Sequence, residues 1–450
     1  MLNIKTNSKK VVDGDIFVAI RGNTVDGPDY IDEAIKNGAV KVICERGSYD
    51  VETIVVENTY EYLKNYLVDN YSCEFDDLKF VGVTGTNGKT TTCYLTYQLL
   101  NKLGIKSCYI GTLGCFYDDK KIELSNTTPD ILELYNLILN AKNDGCKVIV
   151  MEVSSHSISL ERIKGLKYDV CAFTNLTQDH LDYHGTMEEY CNTKVKLISY
   201  LNDNGKIIVN VDDPYAKYFI CDKSLTLGKN GCNYKLLGYE LFNTYSNIKF
   251  SCNDVIYDVK SNLIGKFNVY NYLTSLSIIN NFGFSLLDII AVTNNIVVPN
   301  GRAEIIKVGN SIAVIDYAHT PDAVSNIISS FKEVTKGKII TIIGCGGDRD
   351  SKKRPIMGKI ASENSDFVIF TNDNPRTENE EDIMTDILLG VNIDNYIVIY
   401  NRKEAIKKGI EMLCDNDTLL ILGKGHEDYQ IIGREKFHLS DREEVLKNIK

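Results

Sequence analysis

The chain has 450 residues, of which 44% are apolar, with a formal net charge of −11 and thirteen cysteines. That length exceeds one ordinary core and predicts about three domains, while the acidic balance disfavours nonspecific nucleic-acid binding. No stretch approaches the ~20 apolar residues of a membrane span, and the polar start MLNIKTNSKK predicts no secretory signal. The cysteines are scattered singly, without C-x-x-C pairs or His/Cys clusters, as a reducing compartment without disulfides or zinc allows.

To about residue 78 the pattern is that of a small α/β unit. Strands are expected at Asp15–Ile20, Val40–Cys44 and Thr53–Val56, and helices near Tyr30–Asn37 and Tyr60–Tyr71. An apolar run at 78–83 then leads into GVTGTNGKTT, Gly82 to Thr91. Gly82, Gly85 and Gly88 let the backbone turn tightly and point its N–H groups inward, so that an anion sits on those donors and on the positive end of the following helix dipole. Gly85, Thr86, Asn87, Gly88, Lys89, Thr90 and Thr91 thus form a candidate nucleotide-phosphate site, with Lys89 as a point charge and a threonine hydroxyl as a magnesium ligand. Val83 stands where the common G-x-x-x-x-G-K-[ST] pattern has its first glycine. The plain alternative is a glycine turn carrying a surface lysine.

The next section alternates strands at Val148–Val153, Val170–Asn175 and Lys206–Val211 with helices such as Pro129–Asn143, which predicts a parallel sheet covered on both faces. Glu152 ends the first of these strands. A carboxylate there is a natural magnesium ligand, since magnesium takes one or two protein oxygens beside phosphates and water; a solvated strand-end glutamate is the alternative. His180 and His184, two of the six histidines, fall within five residues of each other. The tyrosine-rich segment Asn233–Val259 reads as a hairpin insertion. Helices at Val269–Phe282 and Ser285–Asn295 follow, and a turn at Pro299–Gly301.

The last section repeats the alternation, with strands at Ile312–Asp316, Ile339–Gly344, Phe367–Thr371, Tyr396–Ile399 and Thr418–Leu422. Ligand loops of such sheets lie at the carboxyl ends of strands. Those ends carry Asp316–His319, Gly344–Arg349, Asn372–Arg376 and Gly423–Glu427, so four polar clusters are expected on one rim.

Seven motifs now stand in one order: GTNGKTT from Gly85, MEVSSH from Met151, TNLTQDHLDYHGTMEEY from Thr174, DYAHTP from Asp316, GCGGDRD from Gly344, DNPR from Asp373 and GKGHE from Gly423. Together they resemble the Mur ligase family over essentially the whole chain. The resemblance implies an α/β protein of three domains: a small N-terminal α/β domain (1–78) for a UDP-linked substrate, a central P-loop domain with a mostly parallel sheet (79–298), and a C-terminal Rossmann-like domain (299–450) for the incoming amino acid. It also implies a cytoplasmic, monomeric enzyme of peptidoglycan synthesis, serving cell shape and division. That enzyme would use ATP and magnesium to add the third peptide residue to UDP-N-acetylmuramoyl-L-alanyl-D-glutamate through an acyl phosphate, with no nucleic-acid partner.

By the same resemblance, Lys89 and Thr90 bind the phosphates and a first magnesium, and Glu152 and His180 hold a second. Lys194 matches a lysine that the family carbamylates with carbon dioxide, which adds only to a neutral amine, so burial or nearby cations must lower its pKa. Lys196 is the competing choice, and an exposed helix lysine the plain one. Asn268 and Asn271 match adenine contacts, and Arg302 and Asp316 other ATP contacts. Ser8 with Asn23, Thr24 and Val25 matches the uridine end, although the family usually has Asp-Ser-Arg around Ser8 and a histidine in place of Pro28. Thr127, Thr128, Ser154 and Arg162 match positions that hold the sugar and acidic peptide.

The amine turns on Asp373, Asn374, Pro375 and Arg376. Meso-diaminopimelate carries a second zwitterionic head, whereas lysine ends in a bare ammonium. Arg376 would pair with the distal carboxylate and repel lysine, and Glu427 would take the distal ammonium, with Arg349 and Gly423 completing the pocket. A β-turn with a surface arginine is the structural alternative. The lysine-adding ligase, a folylpolyglutamate-synthase-like ligase and a nucleotide-binding regulator without catalysis remain the competing readings.

Overall fold

The computed structural model describes residues 2–22, 26–230, 232–294 and 296–449. The chain divides into two compact units, Met1–Val81 with Ile105–Asp169, and Gly82–Gly104 with Val170–Lys450. The first thus contains the small N-terminal sheet, and the second the last six-stranded one.

In the first unit, strands Ile4–Lys5, Ile16–Val18, Lys41–Cys44 and Glu52–Val55 form a parallel sheet in that order. Its core is Phe17, Ala19, Ile31, Ala34, Val42 and Cys44. Helix Thr59–Tyr71 starts where the Asn58 side chain accepts from the Glu61 N–H at 2.9 Å, which satisfies a donor the helix itself cannot. The unit also holds strand Val148–Glu152, buried along its length and parallel to Ser107–Gly111, which continues antiparallel through Gly114–Tyr117 and Lys120–Ile122. Those last three strands have no counterpart in the sequence-based pattern.

In the second unit the helix Lys89–Lys102 packs on Lys266–Asn280, a helix buried nearly all round. Strands Leu201–Asn210 and Ser224–Gly228 run parallel. The expected hairpin at Asn233–Val259 is instead a three-stranded antiparallel run, Tyr234–Leu241, Ser246–Cys252 and Val255–Ser261. A turn at Asn253–Asp254, both with positive φ, returns the chain for the additional strand.

A six-stranded sheet follows in the order Glu304–Val308, Ser311–Asp316, Thr418–Leu422, Ile339–Ile343, Phe367–Phe370, Tyr396–Val398, parallel except for its first strand. Its inner strands are continuous apolar runs because both faces are covered: Val314, Ile343, Val368 and Leu420 point to one core, and Ala313, Ile342, Ile369 and Leu419 to the other. All thirteen cysteines are free thiols. Among the described residues no helix is long and apolar enough to cross a membrane.

Candidate active site

The phosphate loop is built by glycines that no other residue replaces easily. Gly85 has φ +148° and Gly88 +84°. A Cβ on Gly85 would lie 2.0 Å from Thr174 Oγ1, and one on Gly88 would lie 2.3 Å from Asn271 Oδ1. The loop is fastened to the end of strand Tyr168–Phe173. Thr86 N–H donates to Asn175 O (2.8 Å), Asn87 N–H to Asn175 Oδ1 (2.9 Å), and the Thr174 hydroxyl to Asn87 O (2.6 Å). A glycine cradle opening the helix Lys89–Lys102 fits a nucleotide's phosphates.

Two lysines converge on the cradle. Lys89 Nζ donates to the carbonyls of Gly85 (2.9 Å) and Thr86 (2.8 Å), and Lys194 Nζ donates to the same Gly85 carbonyl at 2.9 Å. Lys194 lies on helix Met187–Val195 and is fully buried, with its ammonium over the Tyr190 ring. Burial, with the Lys89 charge second, holds its pKa well below the usual lysine range. The picture of an exposed helix lysine is therefore overturned at 194, whereas Lys196 is exposed.

His180 sits in the left-handed region (φ +53°) with its Nε2 3.3 Å from Asp179 Oδ2. Burial alone would raise the Asp179 pKa, but the charges of His180, His319, Lys353 and Lys89 outweigh it and keep the carboxyl below its ordinary range. His319 Nδ1 bonds the Tyr317 carbonyl at 2.8 Å, and burial pushes its pKa down.

Arg302 donates to the Thr90 hydroxyl at 3.1 Å, and its guanidinium lies 4.6 Å above the Tyr317 ring. Asp316, whose pKa is raised by burial, accepts from the N–H groups of Ala303 (2.7 Å) and Ala318 (2.8 Å), so it shapes the loop that presents Arg302. Asn268 and Asn271 are buried neighbours joined by a 3.0 Å hydrogen bond.

The rim clusters of the six-stranded sheet come together. Asn374 Nδ2 donates to Glu427 Oε2 (2.9 Å), while Asn374 Oδ1 accepts from Ile431 N–H (2.9 Å) and from the buried Lys424 Nζ (3.2 Å). Lys424 also reaches Glu427 Oε2 at 3.0 Å. Arg376 has φ +54° and is held there by its N–H to Ile431 O (3.0 Å) and its guanidinium to Gly347 O (2.7 Å). Such strain persists only where the surroundings over-determine it, and it clusters at ligand sites. A Cβ on Gly423 would come 2.6 Å from Asp373 Oδ2. Pro375 is buried, and Arg349 is exposed.

In the first unit, the buried Glu152 carboxylate accepts from the Tyr109 hydroxyl (2.6 Å) and from Thr112. Thr128 donates to the Glu152 carbonyl at 2.8 Å and bonds Ser154, whose hydroxyl caps helix Ser155–Ser159. Arg162 donates to the Thr128 carbonyl at 3.0 Å, and the Thr127 hydroxyl lies 3.1 Å from that of Thr112. Ser8 Oγ donates to Glu33 Oε2 at 2.5 Å. Pro28 lies in the 3-10 turn Gly27–Tyr30, and Asn23, Thr24 and Val25 lie outside the described residues.

Asp179, Tyr317, His319 and Lys424 stand inside motifs already quoted, so their positions were visible but their roles were not. Tyr109 and Thr112 carried no sequence signal, because Tyr109 sits in a short apolar strand that the pattern did not resolve.

A phosphate cradle with two converging lysines and a rim of paired Asn, Lys, Glu and Arg define a nucleotide-dependent enzyme of the α/β class. The chain belongs to the Mur ligase family. Residues 2–70 match its catalytic domain model, 83–279 the middle domain, and 301–425 the glutamate ligase domain. It is 41% identical to a Fusobacterium nucleatum protein (99% of this chain, 93% of that one) and 39% identical to one from Clostridium acetobutylicum (100% and 94%). Both are named UDP-N-acetylmuramoyl-L-alanyl-D-glutamate–2,6-diaminopimelate ligase. A solved structure of a ligase of that name is similar with a TM-score of 0.69 at 31% identity, over 99% of this chain and 94% of that one.

Proposed function

We propose that this chain is the ATP-dependent ligase that joins meso-2,6-diaminopimelate to the D-glutamate of UDP-N-acetylmuramoyl-L-alanyl-D-glutamate in peptidoglycan synthesis. The rim carries the reading. Lys424, Asn374 and Glu427 are joined by hydrogen bonds, and Arg376 follows Asn374 by two residues with its guanidinium on the Gly347 carbonyl. A cation and a carboxylate on one rim match a zwitterionic head, whereas plain lysine would offer Arg376 no carboxylate.

In this reading Gly85 to Thr91 seat the ATP phosphates, with Thr90, Glu152 and His180 as magnesium ligands. No group of three His, Cys, Asp or Glu side chains converges among the described residues, which suits an ion held largely by phosphate and water. Magnesium supplies charge neutralisation for the phosphoryl group leaving ATP. Lys89 adds a cation beside it, and Asn268, Asn271, Arg302 and Asp316 hold the nucleotide.

Lys194 reacts as the neutral amine that its burial favours. Its nitrogen lone pair forms a bond to the carbon of carbon dioxide as one C=O π bond opens onto oxygen, and an N–H proton leaves to water, so an anionic carbamate replaces the buried neutral amine. Thr127, Thr128, Ser154 and Arg162 take the sugar and acidic peptide, and Ser8 with Asn23 to Val25 the uridine end. The functional sections are 1–78, 79–298 and 299–450, and the enzyme works as a cytoplasmic monomer.

The test is phosphate release from ATP by the purified chain. A ligase releases phosphate only when magnesium, the UDP-dipeptide and diaminopimelate are all present. Release independent of the amine, or none at all, contradicts the reading.

A further inference from the structure

The Glu152 carboxylate does not end its strand free to swing. The Tyr109 hydroxyl donates to Oε1 at 2.6 Å, within the range of a charge-assisted O–H···O⁻ bond, and the Thr112 N–H donates to the same oxygen at 2.8 Å. The Thr112 hydroxyl donates to Oε2 at 3.2 Å. Tyr109 is itself fixed: it is buried, and its oxygen accepts from the Leu113 N–H at 3.4 Å. Gly111 closes the cradle, because a Cβ there would stand 2.3 Å from Glu152 Oε1 and 2.4 Å from the Tyr109 hydroxyl. Strand Ser107–Gly111 therefore brings a phenol, and the turn after it an amide and a hydroxyl, to one buried carboxylate.

We infer that Tyr109, with Thr112, is a positioning residue that fixes the Glu152 carboxylate for divalent-cation binding. The inference rests on the proposed metal role of Glu152. Partners of this kind orient ligating carboxylates, and their loss commonly weakens metal affinity about 10-fold or more. Tyr109→Phe keeps the ring that fills the core and removes the hydroxyl, which is both the donor to Glu152 and the acceptor of the Leu113 N–H.

The experiment measures Mn²⁺ binding by the electron paramagnetic resonance signal of the free ion. The full chain is used with a non-hydrolysable ATP analogue, as wild type, Tyr109→Phe, Thr112→Val and Glu152→Gln. The expected result is that Glu152→Gln weakens Mn²⁺ binding most, and that Tyr109→Phe raises the Mn²⁺ Kd about 10-fold with the nucleotide affinity measured without metal unchanged. Thr112→Val should weaken binding in the same direction, and it serves as the probe if Tyr109→Phe loses its cooperative melting transition. If Glu152→Gln weakens binding while Tyr109→Phe and Thr112→Val bind as wild type, the positioning role is overturned and the metal role of Glu152 stands. If Glu152→Gln itself binds as wild type, the metal role falls and the inference with it.

Discussion

Lys194 is buried to 1% exposure with its ammonium on the Gly85 carbonyl and a second lysine bonded to the same oxygen. Two cations sharing one acceptor favour loss of a proton from the more buried one. Lys194→Ala should lower kcat about 10²-fold, the scale of losing one preorganised charged group. Short-chain carboxylic acids should restore part of the activity; a variant with full activity, or one that such acids do not help, contradicts the carbamate. Arg376 makes a sharper case. Arg376→Ala should raise KM for diaminopimelate about 10–100-fold, as expected for losing a charge-assisted pair worth roughly 1.5–3 kcal/mol, while leaving KM for ATP in place. Arg376→Lys should not restore it, because a point charge lacks the planar fork.

His319 gives a pH signature of stability. Its folded pKa lies below the ordinary 6.5 because burial disfavours the imidazolium, with Lys353 and Arg302 adding to burial and Asp179 opposing it. The unfolded chain therefore binds the extra proton first as pH falls. Stability is complete above about pH 6.5 and declines below it. Urea denaturation of His319→Gln should show a shallower loss of stability over that acid window than wild type. At this scale the sequence announced Lys89, Arg376 and Glu427 by their motifs. It was silent on the bond from Tyr109 to Glu152 and on the pairing of Asn374 with Glu427, since contacts between segments distant in the chain leave no spacing to read.

Among elements, the long buried strands were legible because a short continuous apolar run between turn residues is too brief for a helix and too apolar for a surface loop. Ile339–Ile343 and Thr418–Leu422 lie within a residue of their expected bounds. Short strands were not. Gly114–Tyr117 and Lys120–Ile122 hold too few residues for a period to show, and Ile4–Lys5 has only two. The C-terminal helix Asp441–Asn448 is tied to the six-stranded sheet by an ion pair invisible to pattern. Arg402 Nε and Nη2 each lie 2.7 Å from an Asp441 oxygen, with both side chains fully buried, and Nη2 also donates to Leu422 O. Asp441→Ala leaves a buried guanidinium unpaired and should cost about 3–5 kcal/mol in chemical denaturation. Arg402→Met with Asp441→Leu should cost less than that single change, because the apolar pair leaves no charge behind.

At the scale of the whole molecule, the net charge of −11 means that no global field gathers anionic ligands. Under the proposed function, phosphates and carboxylates are taken instead by local donors: glycine N–H groups, Lys89, Arg302 and Arg376. The α/β class was readable because strand and helix alternate along nearly the full length. The compact units were not, since the first gathers Met1–Val81 and Ile105–Asp169 from either side of the phosphate-loop helix. The central claim concerns which amine the rim accepts. It is tested most directly by supplying the purified chain with ATP, magnesium and the UDP-dipeptide, and measuring phosphate release and tripeptide product with diaminopimelate or lysine. Product forming with a kcat/KM at least about 10²-fold higher for diaminopimelate is the expected result, the scale of one charged pair gained by one amine and lost by the other. Equal or faster turnover of lysine would contradict the account.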